Sequence, residues 1–317
     1  MWKERQAEKL RCEIEALLAP LSDVASLYDL VKEPLAKAGR GLATECARNR
    51  PWPLLPLIVC EAISGHCEHV LPVAGALQCL MAAGDVFDDI EDADSSESLA
   101  TRYGLAVATN VATTLLILAE RAMSKLIVRG VADCDVVRVI DAISSYYITA
   151  CAGQHLDLSL CLEMAVSEDA YLRITGMKSA SQIQCACHIG ALLAAANQEL
   201  INTFAVFGYN LGMAAQITND IHGVTHGNDI LKRKITLPVI YALAQTNGEI
   251  RNQLELAFGK PFEPVPDPTQ IRDLLLHCGA IHYTTIKMEF YKQRALDNLS
   301  EAERAGASVE RLKLFLE

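Results

Sequence analysis

Apolar residues recur at helical spacing through almost the whole chain. The windows are residues 5–18, 23–46, 53–64, 70–92, 100–130, 132–161, 168–195, 199–222, 236–257, 269–280 and 283–315. Within each window polar positions fill the other side, the pattern of a helix with one buried stripe. Strand signals are almost absent, since no Asn-Gly turn joins two alternating runs. The breaks carry turn chemistry: Arg50-Pro51-Trp52-Pro53, Gly65, Asp94-Ser95-Ser96, Gly130 and the proline-rich segment 259–268. No composition shift or polar linker divides the chain, and no internal repeat occurs at a fixed period. The pattern predicts an all-α fold: one domain over residues 1–317, built as a single large, mostly antiparallel helical bundle.

Composition narrows the class. With 317 residues, 51% of them apolar, the chain can bury a large core. A net charge of −11 argues against nucleic acid or an anionic membrane as the main partner. The eleven cysteines are odd in number, form no CxxC and lie scattered in apolar stretches, which suits reduced thiols in a cytoplasmic protein. Met1-Trp2-Lys3-Glu4-Arg5 lacks the apolar core of a signal peptide. Glu120-Arg121, Gln182 with Gln184, and Asn210 interrupt the longest apolar stretches, so no stable membrane insertion is expected.

Two polar clusters break this apolar background. Asp85, Asp88, Asp89 and Asp92 fall at i, i+3, i+4 and i+7, on one helical face, with Glu91 beside them. Like charges so spaced repel by a few tenths of a kcal/mol per pair. A hard divalent cation, Mg²⁺ above all, would neutralise them; a solvated helix end is the bland alternative. Gln216, Asn219, Asp220 and Gly223 repeat the spacing on a second apolar stretch. A buried Asn-Asp pair needs partners, either metal or a polar network between helices. Two such faces are best explained as opposite walls of one cavity holding metal between them. Lys178 and the run Lys232-Arg233-Lys234 offer cations for phosphate, and Gln154 and Asp157 add a polar pair at i and i+3. His66, Cys67 and His69 are metal-ligand types but lack a partner pair at zinc spacing.

These segments resemble, in order, five motifs of the trans-polyprenyl diphosphate synthases. Asp88-Asp89-Ile90-Glu91-Asp92 is similar to their first DDxxD, and Gly153-Gln154-His155-Leu156-Asp157-Leu158 to GQxxDL. Lys178-Ser179-Ala180 resembles their Lys-Thr motif, and Gln216-Ile217-Thr218-Asn219-Asp220-Ile221 the start of the second aspartate-rich motif. Residues 229–238, from Asp229 to Pro238, resemble DLxxGKxTLP. The resemblance covers residues 30–300 or so and implies an isoprenoid-synthase bundle around a deep central cavity. It further implies three Mg²⁺ ions and an allylic prenyl diphosphate substrate. Asp88 and Asp92 would be metal ligands supported by Asp89, and Asp220 with Asn219 would hold metal on the second wall. Lys178, Lys234 and Arg233 would bind the diphosphate, joined by Gln216, and Gln154 would line the cavity beside the developing cation. A homodimer is implied by resemblance alone.

Departures from the family pattern shape the functional expectation. The basic GKxxRP segment, which binds isopentenyl diphosphate in elongating members, aligns Asn49 with its lysine and Trp52 with its arginine. The family histidine falls on Met81, and the arginine pair after the first motif falls in Ser95-Ser96-Glu97-Ser98. Arg48, Arg50 or Arg102 would have to compensate. The second motif reads Asn219-Asp220-Ile221-His222-Gly223, with an amide and a glycine in place of two acids. Its opening resembles the NDxxSxxxE of class I terpene cyclases, with Asp229 available to make good some of the missing charge and His222 and His226 near enough in sequence to touch pyrophosphate. Ala82-Ala83-Gly84, upstream of the first motif, leave room for a C15 to C20 or longer prenyl chain. The expected function is therefore that of a terpene synthase, or of a prenyltransferase to an acceptor other than isopentenyl diphosphate. The alternatives are chain elongation by a polyprenyl diphosphate synthase and a non-catalytic subunit of one.

Overall fold

The structure is a computed structural model that describes residues 2–44, 51–92, 96–159, 166–259 and 267–317. Among the described residues there is no strand. In chain order the first helices are α1 (Trp2–Leu18), α2 (Ala25–Ala36), α3 (Leu55–Ser64), α4 (Leu71–Asp92), α5 (Leu99–Tyr103) and α6 (Leu105–Val128). Then come α7 (Asp133–Ser159), α8 (Glu168–Thr175), α9 (Ser181–Leu193), α10 (Gln198–Thr225) and α11 (Asn228–Leu231). The last are α12 (Leu237–Gln245), α13 (Gly248–Gly259), α14 (Pro268–His277), α15 (Ala280–Arg304) and α16 (Glu310–Lys313).

The chain forms two compact units. The first comprises Met1–Ser145, Cys185–Ala205 and Leu299–Glu317; the second comprises Tyr146–Gln184 and Val206–Asn298. In the first, α4 packs along α6 while α1 and α2 pack against α4. Small residues let the helices approach: a Cβ on Gly75 of α4 would sit 3.3 Å from Leu17 Cδ1 of α1. Glu13, the buried acid of α1, is held by Lys125 at 3.4 Å and Arg129 at 2.8 Å from α6. Residues 68–92 are long and apolar enough to cross a membrane by length and composition, but 72% of that apolar window is buried within the protein. A core helix explains the hydropathy. In the second unit one core gathers Val224, Ile230, Val239, Leu254, Phe258, Ile271 and Leu275. A smaller one gathers Tyr171, Ile217, Leu237 and Ile240.

The helices follow the apolar windows except where backbone chemistry intervenes. Window 23–46 stops being helical at Ala36, because Lys37 turns extended (ψ 155°) and Gly39 turns left-handed (φ 78°). Gly104 (φ 88°) splits window 100–130 into α5 and α6, and Gly248 (φ 59°) opens α13 after the break that follows α12. Window 168–195 contains a π-helical turn, Gly176–Ala180, between α8 and α9. Such turns are rare and often mark functional sites.

Candidate active site

The first unit presents the acidic face of α4. Asp85, Asp88, Asp89 and Asp92 are all partly exposed on it, as their spacing demands. Two of these charges have cationic partners from the turn after α2. Arg40 grips Asp85 bidentately, with Nε donating at 2.9 Å and an Nη at 2.7 Å. Lys37 donates to Asp89 at 3.2 Å. The turn is pinned locally: Leu42 N–H donates to Leu35 O at 2.9 Å, and Gly41 lies so close to Ile14 that a Cβ would come within 2.4 Å of its Cδ1. Asp85 thus has a role as the anchor of Arg40. Sequence reading passed over Lys37 and Arg40; the signal was two bases around Gly39 just past a helix end.

Arg102 pairs with Glu33 and donates to the Glu97 carbonyl at 3.0 Å. Trp52 sits edge-on to Phe315, ring centroids 5.1 Å apart, so an apolar contact occupies the position of the family arginine. Arg48, Asn49, Arg50, Asp94 and Ser95 lie outside the described residues. His69 Nε2 is 2.9 Å from the Leu193 carbonyl and Cys67 is buried. Nothing at His66, Cys67 and His69 resembles a zinc site.

In the second unit three glycines set the π turn that carries Lys178. A Cβ on Gly153 of α7 would lie 2.5 Å from Lys178 N, and one on Gly212 of α10 would lie 2.7 Å from Ala180 Cα. Gly176 faces the Tyr209 hydroxyl, which would be 2.7 Å from such a Cβ. The glycine of the GQxxDL segment is therefore a packing requirement: it lets α7 touch the turn backbone to backbone. That contact brings Lys178 Nζ to 2.8 Å from Asp157 Oδ2. Gln154, on the same turn of α7, is half-buried.

The second polar cluster divides in two. Asn219 is exposed, whereas Asp220 is 3% exposed and accepts hydrogen bonds from the buried Tyr171 hydroxyl and from Gln216 Nε2 at 3.0 Å. Burial pushes its carboxyl up to about 6, against the opposing pull of these donors. Asp220 is almost fully buried, so Asn219 offers the more accessible oxygen. Asp229 lies against Gly223, its Oδ2 2.0 Å from where a Cβ would be. Its carboxyl is raised by burial and drawn back down by Lys234 and Lys232. His222 and His226 are exposed, with rings edge to face 6.1 Å apart.

Among the described residues no group of three or more His, Cys, Asp or Glu converges as a self-contained metal cage. The donor set nevertheless fits Mg²⁺. Asp88 and Asp92 offer carboxylate oxygens one turn apart, and this ion is commonly held by one or two carboxylates plus phosphate oxygens and water.

An all-α architecture with an aspartate-rich helix and a lysine-bearing π turn defines a class, the isoprenoid-synthase fold. The geranylgeranyl pyrophosphate synthetase of Pyrococcus horikoshii Ot3 superposes with a TM-score of 0.84 at 22% identity, covering 99% of this chain and 97% of that one. A Corynebacterium glutamicum geranylgeranyl pyrophosphate synthase, solved with isoprenyl diphosphate and magnesium, gives 0.79 at 20% identity over 98% and 97%. The polyprenyl synthetase family model matches residues 34–275, and the chain belongs to that family. Among relatives, the geranylgeranyl diphosphate synthase of Mycobacterium tuberculosis is 30% identical over 63% of this chain, and the match spans 59% of its own length. That of Methanosarcina mazei is 27% identical over 79% of this chain and 78% of the relative. The tryptophan prenyltransferase ComQ of Bacillus spizizenii is 25% identical over 76% and 84%.

Proposed function

We propose that the protein is a Mg²⁺-dependent prenyl diphosphate synthase. It would transfer the prenyl group of an allylic diphosphate to isopentenyl diphosphate and release pyrophosphate. The similarity to geranylgeranyl diphosphate synthases over most of the chain is the observation that carries this reading. Lys37 and Arg40 lie at the first acidic face, paired with Asp89 and Asp85, in a chain whose aligned GKxxRP positions carry no cation. Elongation therefore moves ahead of the single-substrate reaction expected from sequence.

Asp88 and Asp92 would hold Mg²⁺, which when bound would supply positive charge against the negative charge developing on the leaving pyrophosphate. Lys178, oriented by Asp157, and Lys234 bind diphosphate oxygens through charge-assisted hydrogen bonds. Gln154, half-buried on α7, is the side chain this reading assigns to the allylic cation. Tyr171 and Gln216 fix Asp220, which keeps the second acidic cluster rigid.

A second reading retains a specific observation. Trp52 against Phe315, and Met81 at the family histidine, leave those two positions without a cation. Similarity to a tryptophan prenyltransferase fits a different acceptor, and cyclisation without any acceptor belongs to the same reading. Incubation with Mg²⁺ and C10, C15 or C20 allylic diphosphates, each with and without isopentenyl diphosphate, separates the two. Longer diphosphates formed only with isopentenyl diphosphate are the expected outcome. Hydrocarbon or alcohol formed without it would replace that reading with the second.

A further inference from the structure

We propose that Asp220 is a positioning residue and not a ligand of Mg²⁺: its carboxylate caps α12 and locks α8 and α12 onto α10. The inference rests on the diphosphate reading above and corrects the role that resemblance gives this residue within it.

A helix leaves its first backbone N–H groups without partners of its own. In α12 most of them are provided for locally. Pro238, at the second position, has no N–H, and the N–H groups of Val239 and Ile240 both donate to Thr236 O at 3.0 Å. Leu237 N–H is left, and because Leu237 is fully buried it needs a partner within the protein. Thr236 stands at the N-cap, where a threonine hydroxyl commonly accepts a first-turn N–H. Here its side chain makes no cap hydrogen bond, and its buried hydroxyl has no partner. The acceptor comes instead from α10: Leu237 N–H donates to the Asp220 carboxylate.

Two further donors converge on that carboxylate, the Tyr171 hydroxyl of α8 and Gln216 Nε2 of α10. Around them Tyr171 and Leu237 pack into one small core with Ile217 and Ile240. Asp220 thus sits inside a junction of three helices. Mg²⁺ keeps several waters when it binds a protein carboxylate, and so needs room around the oxygen it takes. Asp88, Asp92 and Asn219 give that room, since each is at least partly exposed, whereas Asp220 is buried. What Asp220 supplies is geometry. Tyr171 lies seven residues before Lys178, and Leu237 three after Lys234, so one carboxylate fixes the segments that carry both lysines.

The test uses the full chain, with pyrophosphate and Mg²⁺ as probes in calorimetry and with chelator in thermal melts. Asp220→Asn keeps an oxygen for Leu237 N–H, whereas Asp220→Ala leaves buried donors unmatched. In chelator Asp220→Ala should therefore melt about 2–4 °C below Asp220→Asn. At saturating Mg²⁺ it should bind pyrophosphate roughly tenfold more weakly than wild type, with Asp220→Asn recovering most of that loss. The Mg²⁺ concentration that half-saturates pyrophosphate binding should not move in Asp220→Asn, and should rise roughly tenfold in Asp92→Ala. A midpoint raised as far in Asp220→Asn as in Asp92→Ala would overturn the inference, as would equal melting of the two Asp220 variants. Tyr171→Phe stands in should Asp220→Ala not fold. It should weaken pyrophosphate binding at an unmoved Mg²⁺ midpoint, and a raised midpoint would again overturn the inference. Wild-type pyrophosphate affinity in Lys178→Ala would instead strike the diphosphate reading and leave the cap, which the melts test alone.

Discussion

Asp220 is a carboxylate whose neighbours decide its chemistry. Its carboxyl rises from 3.8 to about 6 because burial outweighs the donors around it. A carboxyl raised on folding contributes stability that is full below the unfolded value and lost as pH rises through the folded one. Stability of the metal-free protein is therefore expected to fall between about pH 4 and pH 6, by at most about 3 kcal/mol from this group. Asp220→Asn should flatten that part of the profile, as urea unfolding in the presence of chelator would reveal; an identical slope in both proteins would contradict it. On α4 the expectation concerns catalysis. Asp88→Ala and Asp92→Ala should each slow pyrophosphate release by roughly 10²-fold or more, and retained release in both would remove the metal assignment. The acidic face itself was legible from its spacing. The partners of Asp85 and Tyr171's hold on Asp220 were not, because they come from residues 45 and 49 positions away.

Helices were legible from their period, and their interruptions less so. Apolar periodicity runs straight through 168–195, yet a π turn sits in the middle. What reveals it is packing against Gly153 and Gly212. Gly153→Ala should push α7 from the turn, destabilise the protein by about 1–3 kcal/mol and weaken pyrophosphate binding through Lys178. A helical glycine without such a neighbour makes the contrast. A Cβ on Gly84 of α4 meets nothing within 4 Å, so Gly84→Ala should stabilise by about 0.5–1 kcal/mol. Equal urea midpoints for the two variants would show that close approach does not govern either site.

For the molecule as a whole, the all-α class and the family were readable from periodicity and five ordered motifs. The choice of acceptor was not, because positions aligned by sequence count do not reveal which cations the fold brings together. Lys37 and Arg40 belong to a turn that no family motif covered. If the protein elongates prenyl chains as proposed, one position should control the length of its product. Ala82 and Ala83 are fully buried, so the open space at Gly84 is where bulk can be added without repacking the core. Gly84→Phe should shorten the longest product by at least one prenyl unit, measured on dephosphorylated products; an unchanged spectrum would place the chain elsewhere.

Asp229 lying on Gly223 carries a historical consequence. An acid introduced at 223 would meet the Asp229 carboxylate 2.0 Å from its own Cβ, and the Asp229 side chain would have to move to admit it. Gly223→Asp should therefore lower the melting temperature on its own and be tolerated only with Asp229 shortened, as in Gly223→Asp/Asp229→Ala. Such sign epistasis would make the substitution a ratchet, and the order in which ancestral sequences changed at these two positions would be constrained by the space they share.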